Sequence, residues 1–350
     1  MKFKIIDSNV KKDIKLMPFV TFPLTKVCNF RCQYCGHGGE LSASMVESYD
    51  FDVLKDKIYQ AHKLGVRKFR LTGGEPFTYP KIIDILKIFD EIGIYLHVNT
   101  NGSLIERYKH EIEKFGDNIH FAVSLDTLNP DMFDVISGTK GMFQKVMNGI
   151  DILEKSGHLL RVNMVVTKLN KDEIFDIIDF CNKKKCNIKL LDVVSVPLPF
   201  GDRKDLHVPF IELEKLLAEK AEKIYNHQYA RSFGTPCKIY LYNEVRITVK
   251  STWNGSRYDI NGICKGCNYF PCHEGLYDIF ALPDNRVVGC RWSEESVIED
   301  GLSFENKLES ISEIFQRADY IERKCNEAMP PNPDFVMNSL KRAKEIIVNI

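Results

Sequence analysis

Apolar and polar positions follow two alternating rhythms between Phe19 and about Asp192. Short β-branched or aromatic runs predict strands at Phe19–Phe22, Phe69–Leu71, Tyr95–Val98, Phe121–Val123, Val162–Val166 and Ile188–Leu191. Between them, apolar residues recur at helical spacing. Leu54, Ile58 and Ala61 form one stripe, and Ile82, Ile85, Leu86 and Phe89 another. Phe143, Val146, Met147, Ile150 and Leu153 form a third, and Ile174, Ile177, Ile178 and Cys181 a fourth. Gly65, Gly93 and Gly157 each close a helical stretch, where a left-handed residue is needed. Strand–helix–glycine–strand units predict a parallel sheet with right-handed crossovers. The expected class is α/β, a partial (β/α)6 TIM-like barrel over residues 1–205 with its active loops at strand C-terminal ends.

After Val193 the rhythm breaks. Val196-Pro-Leu-Pro-Phe-Gly-Asp reads as a loop, and a helix is predicted from about Pro209 to Tyr225. Residues 232–292 are rich in Cys, Gly, Asn and aromatics, with strand-like runs at Val245–Val249 and Leu276–Leu282. Pro283-Asp-Asn reads as a turn into Val287–Val288, and Ile311–Asn326 and Asp334–Ile350 read as closing helices. Residues 206–350 are therefore expected to form a small cysteine-bearing module.

Composition adds exclusions. Apolar residues make up 44% and charged residues 27%, as in ordinary globular proteins. Lys plus Arg number 48 and Asp plus Glu 48, and no long run of one sign occurs. No nucleic-acid or membrane surface is expected, no stretch is long and apolar enough to span a bilayer, and the N-terminus is not a secretory signal. A cytoplasmic location is the expectation, so the 11 cysteines are not expected to form a disulfide framework. Cys181, Cys186, Cys237 and Cys325 stand alone and read as buried structural thiols. The others form two groups.

The first group is Cys28-x3-Cys32-x2-Cys35, directly after the first predicted strand. Three thiolates on one loop suit three irons of a [4Fe–4S] cluster with the fourth iron open. A zinc site with His37 as fourth ligand, or a redox Cys-x-x-Cys, competes with that reading. The spacing, with Tyr34 before the last cysteine, resembles the radical S-adenosylmethionine (radical SAM) superfamily. So do Leu71-Thr-Gly73-Gly74-Glu75-Pro76, Asn99-Thr-Asn101-Gly102, Ser124-Leu-Asp126 and Arg161-Val-Asn163-Met-Val-Val166, each on or ending successive strands over roughly residues 17–195. The resemblance implies reductive cleavage of S-adenosylmethionine (SAM) at the cluster and hydrogen abstraction by a 5′-deoxyadenosyl radical. It implies cofactor binding by Tyr34 (adenine), Gly73, Gly74, Glu75 and Pro76 (amino group), Ser124 (carboxylate), and Asn99, Asn101 and Asp126 (ribose), with Asn163 and Val166 alongside. It also implies an electron donor such as a flavodoxin or ferredoxin.

The second group is Cys264-x2-Cys267-x4-Cys272 and then Cys290. From spacing, four thiolates suit zinc or iron–sulfur. Overall the chain resembles the branch of radical SAM enzymes that contains the GTP 3′,8-cyclase of molybdenum cofactor synthesis. That branch carries an auxiliary [4Fe–4S] cluster on Cys-x2-Cys, a hairpin and a further Cys. The resemblance implies an auxiliary-cluster (twitch/SPASM-like) module here, held by Cys264, Cys267 and Cys290, with Cys272 as an extra candidate ligand.

Departures bear on substrate. Lys189-Leu-Leu-Asp192 stands where the cyclase has an Arg-Phe-Ile-Glu-type segment, Asn268-Tyr-Phe-Pro stands where it is Arg-rich, and the chain ends Asn-Ile350 rather than Gly-Gly. The expectation is therefore a small-molecule substrate undergoing cyclisation, rearrangement or redox change. GTP cyclisation is an alternative, as is cross-linking or epimerisation of a peptide. The cluster loop begins by residue 28, without a preceding peptide-binding domain, which weighs against a peptide. A non-catalytic iron–sulfur or zinc scaffold is the remaining alternative, and it would need none of the strand-end segments. Arg161 is a candidate contact for an anionic substrate, with a surface salt bridge as the competing reading, and Cys237 a candidate hydrogen-atom donor, with a structural thiol competing.

Overall fold

A computed structural model describes residues 19–35, 47–193, 206–227, 237–251, 257–259, 263, 278–290, 297–298, 301–317 and 320–322. All six predicted strands form: β1 (Phe19–Pro23), β2 (Lys68–Thr72), β3 (Tyr95–Thr100), β4 (Ile119–Ser124), β5 (Leu159–Val166) and β6 (Asn187–Asp192). They lie side by side in chain order, every pair parallel. Between them run α1 (Phe51–Lys63), α2 (Ile82–Glu91), α3 (Lys109–Ile112), α4 (Pro130–Ser137), α5 (Phe143–Lys155) and α6 (Ile174–Lys183). The predicted stripes are the buried faces: Leu54, Ile58 and Ala61 of α1, and Ile174, Ile177, Ile178 and Cys181 of α6. Gly65, Gly93 and Gly157 have φ of 101°, 64° and 79°, the left-handed region that ends a helix and releases the next strand.

One face of each strand packs under the helices and is apolar. Phe22, Phe69, Leu71, Leu96, Val98, Phe121, Val123, Val162, Met164, Ile188 and Leu190 are all fully buried there. The other face looks into the barrel, and its outlying positions in β5 and β6 are half-buried. That polar face positions the site.

The later chain adds α7 (Phe210–Lys220), β7 (Lys223–His227), β8 (Cys237–Tyr242), β9 (Val245–Lys250), β10 (Arg257–Asp259), β11 (Ile279–Ala281), β12 (Val287–Val288), β13 (Val297–Ile298), α8 (Phe304–Arg317) and β14 (Tyr320–Glu322). β10 and β14 pair with each other in a separate two-stranded sheet, and the other strands join both edges of the barrel sheet, giving the order β13-β12-β11-β1-β2-β3-β4-β5-β6-β9-β8-β7. β11 is parallel to β1 and β9 parallel to β6, so the parallel run is extended at each end. The predicted turn at Pro283 forms a β11–β12 hairpin, closed by Leu282 N–H to Arg286 O at 2.9 Å, and it carries the chain to Cys290.

Two helix boundaries differ from expectation. The helix predicted to run to Tyr225 stops at Lys220. Its last buried apolar residue is Leu217, Ala221 is already extended, and Tyr225 pairs with Ile239 in the antiparallel β7–β8 ladder. The closing helix begins at Phe304, where the Ser303 hydroxyl accepts from Asn306 N–H at 3.2 Å, and it gives way to β14, which pairs with β10. The predicted helix Asp334–Ile350 lies outside the described residues, as do Cys264, Cys267 and Cys272. Among the described residues, no helix is long and apolar enough to cross a membrane.

Candidate functional site

The cysteine loop leaves β1 at the C-terminal end of the sheet and rests on α4. Arg31 and Gln33 donate their N–H groups to Ser137 O and Ile136 O at 2.9 and 3.0 Å, and the Gln33 amide donates to Val135 O at 3.0 Å. The unsatisfied carbonyls of a helix end thus become the seat of the loop. Gly138 closes α4 with φ 62°, and a Cβ there would lie 2.5 Å from Arg31 O. Phe30 packs edge-on against Phe133 at 5.9 Å. Phe30 N–H points at Cys28 Sγ from 3.4 Å, the kind of contact that stabilises a thiolate.

Cys28 and Cys32 are half-buried and Cys35 is exposed. Burial raises the pKa of Cys28 and Cys32 above the ordinary thiol value, Asp126 adds to this at Cys32, and the thiols raise one another further. Bound iron supplies the opposing positive charge. Among the described residues no three His, Cys, Asp or Glu groups converge on a single ion. A [4Fe–4S] cluster makes a different demand, taking each thiolate on a separate iron.

Gly73 and Gly74 follow β2 and lie against this loop. Gly73 has φ 132°. A Cβ on Gly73 would sit 2.5 Å from Thr25 O, and one on Gly74 2.3 Å from Val27 O. Gly74 N–H donates to Thr25 O at 2.6 Å and Glu75 N–H to Val27 O at 2.8 Å. The space that glycine leaves is filled by the chain itself, bringing β2's end against the stem of the cysteine loop.

The remaining predicted cofactor residues divide into three sets. Glu75, Asn101 and Asp126 are braces. Glu75 is buried, and its carboxylate accepts from Phe77 N–H (3.0 Å), Thr100 Oγ1 (2.7 Å) and Asn101 N–H (2.6 Å). Burial pushes its pKa up to about 7 against the pull of those hydrogen bonds. The Asn101 amide donates to Asn29 Oδ1 at 2.8 Å, tying β3's end to the cysteine loop, and accepts from Ser103. Asp126 accepts from Tyr34 Oη at 2.6 Å and from Val165 N–H at 2.8 Å, joining the loop to β4 and β5. Burial raises Asp126 to about 6, and burial with Asp126 beside it keeps Tyr34 a protonated donor.

Asn99, Ser124 and Asn163 form the second set and face the barrel interior: Asn99 pairs in register with Ala122, and Ser124 with Asn163. Asn99 Oδ1 is buried without a hydrogen-bond partner among the described residues. Pro76 and Val166 form the third set and face away. Pro76 opens a buried 3-10 turn, and Val166 is fully buried under the helices with Val162 and Met164. Period-two alternation turns Val166 outward because Asn163 and Val165 turn inward.

Below this rim lies a cationic layer. Arg70 pairs in register with His97, Arg161 with Asn187 and Ala122, and Asn163 with Lys189. Arg161 reaches across to His97 Nε2 at 3.2 Å and donates to Asn163 Oδ1 at 2.8 Å, so it faces inward. Burial holds His97 well below its usual pKa, helped by the positive charges of Arg161, Arg70 and Lys189. Asp278, just before β11, enters the layer from the edge: it pairs with Arg70 at 2.5 Å and accepts from Thr21 Oγ1 at 3.0 Å. The sequence reading passed over Arg70, His97 and Asp278. The signal for the first two was present, as polar residues at alternate positions of strands predicted to form a barrel. Cys237 opens β8, outside the barrel strands and in register with His227. Cys290 is half-buried after β12.

A family model described as the radical SAM superfamily matches residues 22–181. A probable GTP 3′,8-cyclase of Thermococcus kodakarensis is 32% identical over 298 residues, 84% of this chain and 92% of that protein. This chain belongs to the radical SAM superfamily. Its membership brings a [4Fe–4S] cluster and SAM as cofactors, and makes the protein an enzyme. A probable GTP 3′,8-cyclase of Methanothermobacter thermautotrophicus is 27% identical over 303 residues, covering 84% of this chain and 91% of the relative. Among solved structures, Streptococcus suis SuiB bound to precursor peptide SuiA matches with TM-score 0.60 at 16% identity, covering 92% of this chain and 69% of that one. The structure of anSMEcpe with bound AdoMet matches with TM-score 0.56 at 15% identity, covering 95% and 100%. These two likenesses concern the radical SAM fold.

Proposed function

We propose that this radical SAM enzyme acts on a nucleotide, and that its reaction is the 3′,8-cyclisation of GTP or a close variant of it. The observation that carries this reading is the cationic layer of Arg70, Arg161 and Lys189 around a neutral His97, directly under the strand ends. Cations at this depth suit a phosphorylated substrate, because partly desolvated guanidinium and ammonium groups favour polyanions. The curated relatives, spanned over nine-tenths of their length, point the same way.

A [4Fe–4S] cluster and SAM bound at the rim would supply reductive C–S cleavage and hydrogen-atom abstraction from the substrate. Cys28, Cys32 and Cys35 hold three irons. Asn99 Oδ1, Ser124 and Asn163 are the polar groups that meet SAM, and the orphaned Asn99 oxygen finds its partner there. Glu75, Asn101 and Asp126 keep the cysteine loop in register with the ends of β3, β4 and β5. Gly73 and Gly74 set the loop's distance from β2. Cys264, Cys267 and Cys290, with Cys272 as a possible fourth ligand, hold the auxiliary cluster, and the β11–β12 hairpin delivers Cys290. A second reading, a small molecule with fewer charges than GTP, is favoured by the acidic Asp278 inside the layer.

The test is anaerobic turnover of the reconstituted, reduced enzyme with SAM and GTP. The expected result is 5′-deoxyadenosine formation that GTP accelerates, with GTP consumed to a product joined between C3′ and C8. Cys32→Ala should make no 5′-deoxyadenosine. If GTP neither accelerates the reaction nor is consumed, the cyclase reading falls, while 5′-deoxyadenosine formation alone still reports radical SAM chemistry.

A further inference from the structure

Asp278 comes from far beyond the matched family segment, residues 22–181. It arrives because β11 pairs in parallel with β1, Val20 opposite Ile279 and Thr21 opposite Phe280. That register puts Asp278 on the inward face, two residues before Phe280. Its side chain is 2% exposed, against 13% for Arg70. A carboxylate so buried is tolerated when it is paired and hydrogen-bonded, and Asp278 is both, through Arg70 and Thr21. The Arg70 guanidinium also lies over the Phe19 ring, 5.2 Å from its centroid. Arg70 is thus bound to a carboxylate, and Arg161 to the neutral His97 and Asn163.

We propose that Asp278 is a specificity-determining residue that withdraws Arg70 from phosphate binding and so limits the negative charge the site accepts. This deepens the nucleotide reading and rests on it for the identity of the substrate, but not for the chemistry of the layer. A phosphate group must compete with a buried carboxylate for Arg70. The segment carrying the second cysteine group then sets substrate charge as well, since Asp278 and Cys290 flank the same hairpin.

The experiment measures equilibrium binding of tripolyphosphate, GTP and guanosine to the full-length reconstituted enzyme and to Asp278→Asn. Asparagine keeps the shape and can still accept from Thr21. One added unit of positive charge at a partly desolvated site predicts tripolyphosphate and GTP binding about tenfold tighter, with guanosine unchanged. The gain should vanish in Arg70→Met/Asp278→Asn, because the coupling between the two residues is what the cycle isolates. Iron content and the cluster absorbance of each variant report that it is folded. Unchanged or weaker tripolyphosphate binding in Asp278→Asn, or a gain that survives loss of Arg70, overturns the proposal. If tripolyphosphate tightens but GTP is never turned over, the proposal stands and the cyclase reading falls.

Discussion

Single side chains at the rim do two different jobs, and their hydrogen bonds separate them. Glu75 uses both carboxylate oxygens on Phe77, Thr100 and Asn101, and Asn101 uses its amide on Asn29 and Ser103. Asn99 lies two residues before Asn101, yet its buried oxygen has no partner among the described residues. An unmet buried acceptor costs roughly 1–3 kcal/mol, so Asn99 stabilises nothing by that atom. Asn99→Ala should leave urea stability equal or slightly raised while KM for SAM rises about fivefold, the worth of one hydrogen bond. A stability loss with KM unchanged would make Asn99 a structural residue. The strand-end segments could be read in the sequence, but the division of labour within them could not. It depends on which partner each side chain reaches, and Glu75 and Asn101 find theirs across 25 and 72 residues.

Among elements, the decisive contact is between the cysteine loop and its two supports, the end of β2 and the end of α4. Both are glycine-dependent, and in both the missing Cβ makes room for loop backbone. Gly74→Ala would push a methyl group into Val27 O and Lys26 O, neither of which can swing aside as a side chain would. The expected outcome is a loss of about 1–3 kcal/mol in unfolding free energy and a fall in iron bound at the first cluster. Full iron content in the variant would show that the loop can shift without cost. The β11–β12 hairpin is held in a related way. Lys57 of α1 donates to Leu282 O at 3.1 Å, Lys307 of α8 to Asn285 O at 2.7 Å, and Tyr49 to Ala281 O at 2.7 Å. Burial pushes the Lys57 pKa from 10.5 down to about 8, Lys307 beside it helps, and Asp284 opposes the shift. Between pH 8 and 10.5 the unfolded chain therefore binds more protons at this position than the folded one, and stability contributed here rises with pH. In urea unfolding, the wild type should gain on Lys57→Met between those two pH values. A constant difference would refute a depressed Lys57.

At the scale of the whole molecule, the later chain is built into the barrel sheet, with β9 on β6 at one edge and β11 on β1 at the other. The Cys290 hairpin and the cationic layer consequently share a wall. If the second cysteine group holds an auxiliary cluster, reconstituted enzyme should contain about eight irons per chain. About four irons together with zinc would exclude that cluster and leave the first one intact.

Sequence by itself determined the six-strand rhythm, the helix faces, the glycine stops and the cysteine loop at the end of β1. All of these are local, because period-two and period-3.6 burial and left-handed glycine act within one element. Only the tertiary structure decided that Val166 faces the helices, that Arg161 turns inward to His97, and that α4 seats the cysteine loop. It alone brought Asp278 to Thr21 across 257 residues. Such meetings depend on strand register between distant segments, and a buried charge reveals its partner only when the edge that carries it is paired.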